Sequence, residues 1–325
     1  MNVDMARRFD TVTPGVRRVF YAYAVAAAVL TLGAVLHPGF ASWTSLRAVL
    51  VVAAFTGFVA AGQMLVVLVG GIDLSIPWVL NGAAIVLTTT SLGQSSRLPM
   101  ALAFALGVGA LAGFANGMGV AWLGVPAVVM TLGMNGVLQG LSLGLSKGLT
   151  CASCGSYAPQ PLRDLFTGGV AGVPAALLVW IGVALLMTVL LTLTTFGRRV
   201  YAVGVNSRAA FLSGVGVRGV TVALYTLSGV FAALAGIMLV GYGGQPSLGL
   251  GDPYLFESIA AVVVGGVSIL GGRGHYLGVV AGSLTLVAVT TFLQAQRVPE
   301  YGRLMIYGLV ILVILFAYGR DRSHD

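Results

Sequence analysis

Charge is what this sequence has least of: 8% of its 325 residues are Asp, Glu, Lys or Arg, against about 25% in an ordinary soluble domain. So few charged side chains cannot clothe a water-facing surface of this size, which excludes a soluble enzyme or a soluble binding module. Lysine is reduced to Lys147, which follows Ser146 and completes no Gly-Lys-Ser/Thr, so the chain has no P-loop to hold ATP. The histidines, His37, His275 and His324, are far apart, and no pair has metal-ligand spacing, so no zinc-type site is expected. Cys151 and Cys154 form Cys-Ala-Ser-Cys on a loop. A local disulfide in an oxidising compartment and an incidental pair both remain open, whereas zinc or redox chemistry would require further ligands or a βαβ setting. Carboxylates are scarce too. Asp73 and Glu257 are the acidic residues of the apolar segments, and both stand near segment ends, whereas an ion-coupled carrier places carboxylates at mid-membrane. No His, Cys or carboxylate cluster supplies an integral-membrane enzyme with a catalytic set.

What the sequence has is apolar length. Hydrophobic residues make up 58% of the chain and the mean hydropathy is +0.99. Runs of about 20 apolar residues, enough to cross a bilayer, recur from end to end. They can be drawn at 19–36, 46–69, 74–92, 99–121, 125–146, 174–195, 220–241, 255–271, 276–295 and 303–319. The expected fold is an all-α polytopic membrane protein of about ten transmembrane or half-membrane helices. It forms one membrane domain over 19–319, between tails 1–18 and 320–325. The first run, behind Arg7, Arg8, Arg17 and Arg18, is long for a secretory h-region and is expected to be retained. With the N-terminus inside, eleven of the 17 basic residues fall on the cytoplasmic side, which favours N-in and C-in. Re-entrant segments around Asp73 or Arg273 would change the number of spans. The formal charge of +8 is then a mark of topology, and nucleic acid is not an expected partner.

Glycine is periodic. Gly109, Gly113 and Gly117 share a helical face, as do Gly136, Gly140, Gly144 and Gly148, and Gly278 with Gly282. Such small-xxx-small faces let helix backbones approach closely, either within the chain or between subunits. The polar residues inside apolar runs are amides: Gln63, Asn81, Asn116, Asn135 and Gln139. They either hydrogen-bond between helices or line a path for a neutral, hydroxylated solute.

Two segments carry more information. Val69-Gly70-Gly71-Ile72-Asp73-Leu74-Ser75-Ile76-Pro77 sets a Gly pair and an ionisable Asp at the end of an apolar run, the pattern of a broken membrane helix, with Asp73 expected to cap a helix from Leu74. Gly265-Gly266, after a second apolar run that contains Glu257, echoes it in parallel. The loop 196–219 holds a short helix that Asn206 or Ser207 can cap, with Ala209, Ala210, Phe211 and Leu212 as an apolar contact surface and Gly214 as its left-handed exit. Flanking arginines make this segment either a docking element or an interfacial helix.

Four blocks, in order and at consistent spacing, resemble the permease subunits of ribose-type ABC importers, the family that serves ribose, xylose, galactose, arabinose, galactofuranose and autoinducer-2. They are Gly70-Gly71-Ile72-Asp73-Leu74-Ser75, then Thr131-Leu132-Gly133-Met134 with Gly140, then Gly197-Arg198 through Tyr201 and Gly204 to Asn206, Ala209, Ala210, Ser213 and Gly214, and lastly Glu257 through Gly265-Gly266 with Gly271-Gly272-Arg273-Gly274. The likeness spans roughly residues 45–318. Ile76-Pro77 departs from the Val-Gly common in the family, and the Cys151–Pro161 loop matches no subtype.

The resemblance implies a multi-pass protein of the bacterial inner membrane that performs no covalent chemistry and carries no cofactor of its own. Its implied partners are a cytoplasmic ABC ATPase that binds ATP and Mg, a second permease as homodimer or paralogue, and a periplasmic or tethered sugar-binding protein. The cargo implied is a monosaccharide or related polyol. By the same resemblance the coupling element is Gly197, Arg198, Tyr201, Gly204, Asn206, Ala209, Ala210, Ser213 and Gly214. Gly70, Gly71, Asp73, Ser75, Glu257, Gly265 and Gly266 are read as structural or gating positions. A self-sufficient secondary carrier is the competing function.

Overall fold

A computed structural model describes residues 14–146, 157–170, 172–299, 301–309 and 312. Cys151, Cys154, Lys147 and Gly148 lie outside the described residues. In lipid every backbone N–H and C=O must be satisfied within the protein, and for an apolar chain the local solution is the helix. The helices are α1 (Pro14–Leu36), α2 (Trp43–Val67), α3 (Ile76–Ser91), α4 (Leu98–Ala121), α5 (Ala127–Ser146), α6 (Gln160–Thr167), α7 (Ala175–Thr192), α8 (Thr195–Val205), α9 (Ser207–Leu212), α10 (Val217–Gly243), α11 (Asp252–Val264) and α12 (Tyr276–Ala295). Residues 301–309 form a further helix. A two-stranded antiparallel hairpin, β1 (Gly169–Val170) and β2 (Val173–Pro174), precedes α7 and sets Gly169 opposite Pro174.

Among the described residues seven helices are long and apolar enough to cross a membrane: α1, α2, α4, α5, α7, α10 and α12. The ten runs of the sequence are therefore not ten equal spans. With 16 and 13 residues, α3 and α11 reach roughly 24 and 20 Å, short of a hydrocarbon core of about 30 Å. Proline sits in the first turn of both, where its missing N–H costs nothing; α11 is closed by Gly265, whereas α3 is closed by Leu92, which takes the left-handed conformation at φ 49°. The run 255–271 stops being helical at Val264, and 265–275 is irregular.

α2 is the central helix, buried continuously from Ala53 to Val67. It packs on α10, α11, α12 and α7, while α10 also covers α3 and α4. The glycine faces decide much of this packing. A Cβ on Gly109 or Gly113 would lie 2.3 Å from Gly229 O or 2.2 Å from Tyr225 O, so α4 meets α10 backbone to backbone. Gly278 and Gly282 bring α12 equally close to Gly265 and Ala261 on α11. The Gly136, Gly140 and Gly144 face of α5, in contrast, has nothing within 4 Å of an added Cβ. Two of the periodic faces are thus internal seams and the third is open. At the centre, Trp180 of α7 donates to Tyr276 Oη at 3.1 Å, and Tyr276 donates to Gly57 O at 2.8 Å, tying α2, α7 and α12 together.

Candidate functional site

One end of the bundle gathers most of the residues that the sequence singles out. α2 and α11 terminate in the same way: the N–H groups of Gly70 and Gly71 return to Val67 O and Val66 O at 2.9 and 3.1 Å, and those of Gly266 and Val267 return to Val263 O and Val262 O at 2.9 and 3.2 Å. Gly70 (φ 78°) and Gly266 (φ 82°) take the left-handed conformation that closes this hydrogen-bond pattern. The echo read from the two Gly pairs is real in the backbone, but in a register one residue later, with Gly70 matching Gly266. Gly71 serves another purpose. A Cβ there would strike the Tyr225 hydroxyl at 2.4 Å.

Beyond the α2 turn, Asp73 organises a buried polar cluster. Its Oδ1 accepts from Ser75 N at 3.0 Å and Ser75 Oγ at 2.6 Å, and its Oδ2 accepts from Ser228 Oγ of α10 at 2.8 Å. Asn116 of α4 donates to Ser75 Oγ at 2.9 Å. Thr131 of α5 donates to Ile72 O at 3.2 Å. The expected cap is thereby corrected: α3 begins at Ile76, Ser75 is the N-cap residue, and Asp73 holds a tight turn ahead of the helix while joining three helices.

α8 is wedged against both turns. A Cβ on Gly204 would lie 1.9 Å from Leu68 O and 2.5 Å from Gly272 N, the two groups that hydrogen-bond to each other at 2.8 Å. Three backbones therefore meet at Gly204, and no side chain fits between them. Tyr201, one turn earlier, donates to Gly274 O at 2.7 Å, and burial raises its phenol pKa, which keeps it a donor. Thr194 caps α8 by accepting from Gly197 N at 3.2 Å, and Gly197 packs its α-carbon against Leu191 O.

The short α9 follows the expected chemistry. Asn206 Oδ1 caps it by accepting from Ala209 N at 2.9 Å, Ser213 Oγ closes back on Ala209 O at 2.9 Å, and Gly214 leaves at φ 81°. Ala209, Phe211 and Leu212 are exposed, whereas Ala210 is buried against the fold. Ala210 is therefore an anchor, a correction to its place in an outward-facing surface. Arg198, Arg199, Arg208, Arg218 and Arg273 are all exposed at this end, with the Arg218 guanidinium 4.9 Å over the Trp122 ring.

The five amides do not form one lining. Gln63 is fully buried on α2 with both polar atoms unpaired among the described residues, and Asn116 belongs to the Asp73 cluster. Asn81 accepts from Gly251 N at 3.2 Å. Asn135 is half-buried and Gln139 exposed on α5. Glu257 likewise belongs elsewhere. It lies well away from the α8 junction, where its Oε2 accepts from Thr56 at 3.3 Å and its Oε1 from Tyr307 at 2.9 Å. Ser228 and Thr56 escape sequence reading because a Ser or Thr hydroxyl in an apolar helix ordinarily bonds its own i−4 carbonyl, as Thr188 and Ser283 do here, and Tyr307 because nothing local marks the partner of a phenol.

This arrangement, a bundle of full and half helices with two glycine turns braced by a short helix, defines a membrane permease. The chain belongs to the family described as the permease component of the branched-chain amino acid transport system, which it matches over residues 45–315. It is similar to the fructose import permease protein FrcC of Rhizobium meliloti, at 34% identity over 294 residues, 88% of this chain and 80% of that protein. It is also similar to the autoinducer 2 import system permease protein LsrC of Escherichia coli, at 36% identity over 265 residues, 81% of this chain and 75% of that one. The LsrC of Salmonella paratyphi B is 36% identical over 263 residues. No solved structure matches the chain. Family and apolar helices together place it as a multi-pass protein of the bacterial inner membrane.

Proposed function

We propose that the chain is the membrane-spanning subunit of an ATP-driven importer for a monosaccharide or related polyol, with α8 and α9 as the element that receives motion from a cytoplasmic ATPase. The observation that carries this reading is the contact at Gly204. α9 exposes Ala209, Phe211 and Leu212 outward, and α8, which leads into α9 through Asn206 and packs on it, is in backbone contact inward at Gly204 with the turns after both α2 and α11. A push on α9 is therefore delivered to two helix ends at once. The exposed arginines at the same end favour the cytoplasm for it, and with it N-in and C-in. The relative named as a fructose import permease supports the cargo class. ATP and Mg then reside on the ATPase, and sugar arrives on an extracytoplasmic binding protein. The open Gly136, Gly140 and Gly144 face of α5 suits a second permease.

The test is uptake in proteoliposomes containing this chain, its ATPase and its binding protein. Ala209→Asp is expected to leave the permease in the membrane, because an acid in the first turn of α9 suits the helix dipole. It is also expected to uncouple ATP hydrolysis from uptake, as is Gly214→Val. Concentrative uptake by the permease alone under an ion gradient would instead identify a secondary carrier, and normal coupling in both variants would refute the role of α9.

A further inference from the structure

Away from the α8 junction, the structure contains a cavity of about 360 Å³ bounded by α2, α11, α12 and helix 301–309. Thr56, whose hydroxyl anchors the cavity's carboxylate, precedes Leu68 by 12 residues on one helix, which sets this region roughly 18 Å from the junction. Glu257, Thr290, Gln294, Arg303, Tyr254 and Tyr307 line it. Glu257 is fixed by Thr56 and Tyr307, and Tyr307 in turn shares a hydrogen bond with Thr290. The Arg303 Nε is buried and has no hydrogen-bond partner among the described residues.

We infer that this cavity, and not the scattered amides, is where the permease holds its cargo, a neutral polyhydroxylated solute of monosaccharide size. The inference rests on the importer reading above and assigns that cargo a place. The volume lies in the range of small-molecule sites, about 300–1,000 Å³. A guanidinium only donates, so a ligand hydroxyl can accept from the Arg303 Nε, and a neighbouring hydroxyl of the same ligand can donate to a lone pair of the Glu257 carboxylate beyond those that Thr56 and Tyr307 use. An apolar ligand would leave the Arg303 Nε desolvated and unbonded, a costly state. A phosphate or carboxylate ligand that reached Arg303 would face Glu257 in the same wall, at a cost in repulsion. Gln63, in contrast, is fully buried on α2 and does not line this cavity.

Gln294 is exposed and lies on the wall without a role in the Glu257 network, so Gln294→Cys is expected to keep the fold, and Cys151 and Cys154 are replaced by Ser, with uptake by that cysteine-free background as its control, to leave the reagent one target. The assembled importer carrying this variant is labelled with a membrane-impermeant thiol reagent in the presence of fructose, ribose or leucine. Fructose or ribose is expected to slow labelling at least about fivefold while leucine does not, and adding Glu257→Gln is expected to weaken that protection about tenfold or more, the effect of losing a charged hydrogen bond. Uptake of a sugar that leaves the labelling rate unchanged overturns the cavity and spares the importer reading. Absence of both uptake and protection overturns both, and protection by leucine alone overturns the cargo class.

Discussion

Gly204→Ala is the sharpest probe of how α8 is seated. The new Cβ would lie 1.9 Å from Leu68 O, so α8 must retreat by about 1 Å to reach the 3.0 Å below which real Cβ contacts essentially never fall. Leu68 O and Gly272 N are backbone atoms, bonded to each other at 2.8 Å, and neither can swing aside as a side chain would. Overpacking of this kind costs about 1–3 kcal/mol. If the Leu68–Gly272 hydrogen bond opens, each buried partner left unpaired adds about 1–3 kcal/mol. The methyl returns about 1 kcal/mol in helix propensity. The net expectation is a loss of about 2–4 kcal/mol, set by these terms and limited by how far α8 can back away. Denaturant unfolding of the purified permease in mild detergent measures it. Gly182→Ala on α7, where an added Cβ meets nothing within 4 Å, is the control and should be neutral or slightly stabilising. In the reconstituted importer Gly204→Ala should also lower uptake per ATP hydrolysed. Wild-type stability together with wild-type coupling would refute the three-backbone contact.

Asp73→Ala should destabilise by about 2–4 kcal/mol, because it orphans donors on Ser75 and Ser228 that are fully buried. Asp73→Asn should cost less, and a double-mutant cycle with Ser228→Ala should show marked non-additivity; additive effects would mean that the two do not interact. His275 predicts a pH effect. Its Nδ1 accepts from Leu277 N at 3.2 Å to cap α12, and partial burial lowers its pKa from 6.5. A group depressed in the folded state contributes stability above its unfolded pKa, so the cap should be present near neutrality and lost as pH falls through the lowered value. The expected loss is about 1 kcal/mol. His275→Ala should flatten that part of the stability profile, and an unchanged profile would remove the cap.

Legibility in the sequence followed how local the cause was. A cap for α9 at Asn206 or Ser207, Gly214 as its exit and the broken helix at Gly70 depend on a few consecutive residues and are legible along the chain, with the structure choosing Asn206 as the cap. The end of α11 was harder to read, because apolar character runs on past Val264 after helical hydrogen bonding has ended, whereas α3 falls within two residues of the run drawn at 74–92. The inward turn of Ala210 and the one-residue shift in the Gly70 echo came from contacts with other elements. Glu257, grouped with the glycine turns by sequence, went instead to a cavity completed by residues from three further helices.

By itself the sequence determined the solvent, the helical class and the family, because hydropathy and motif order are sums over neighbours along the chain. The tertiary structure alone decided which glycine face became a seam and which stayed open, why no side chain is tolerated at Gly204, and which polar groups share a cavity. Those depend on backbones brought within van der Waals contact from positions far apart along the chain, such as Leu68, Gly204 and Gly272. No local pattern encodes that distance.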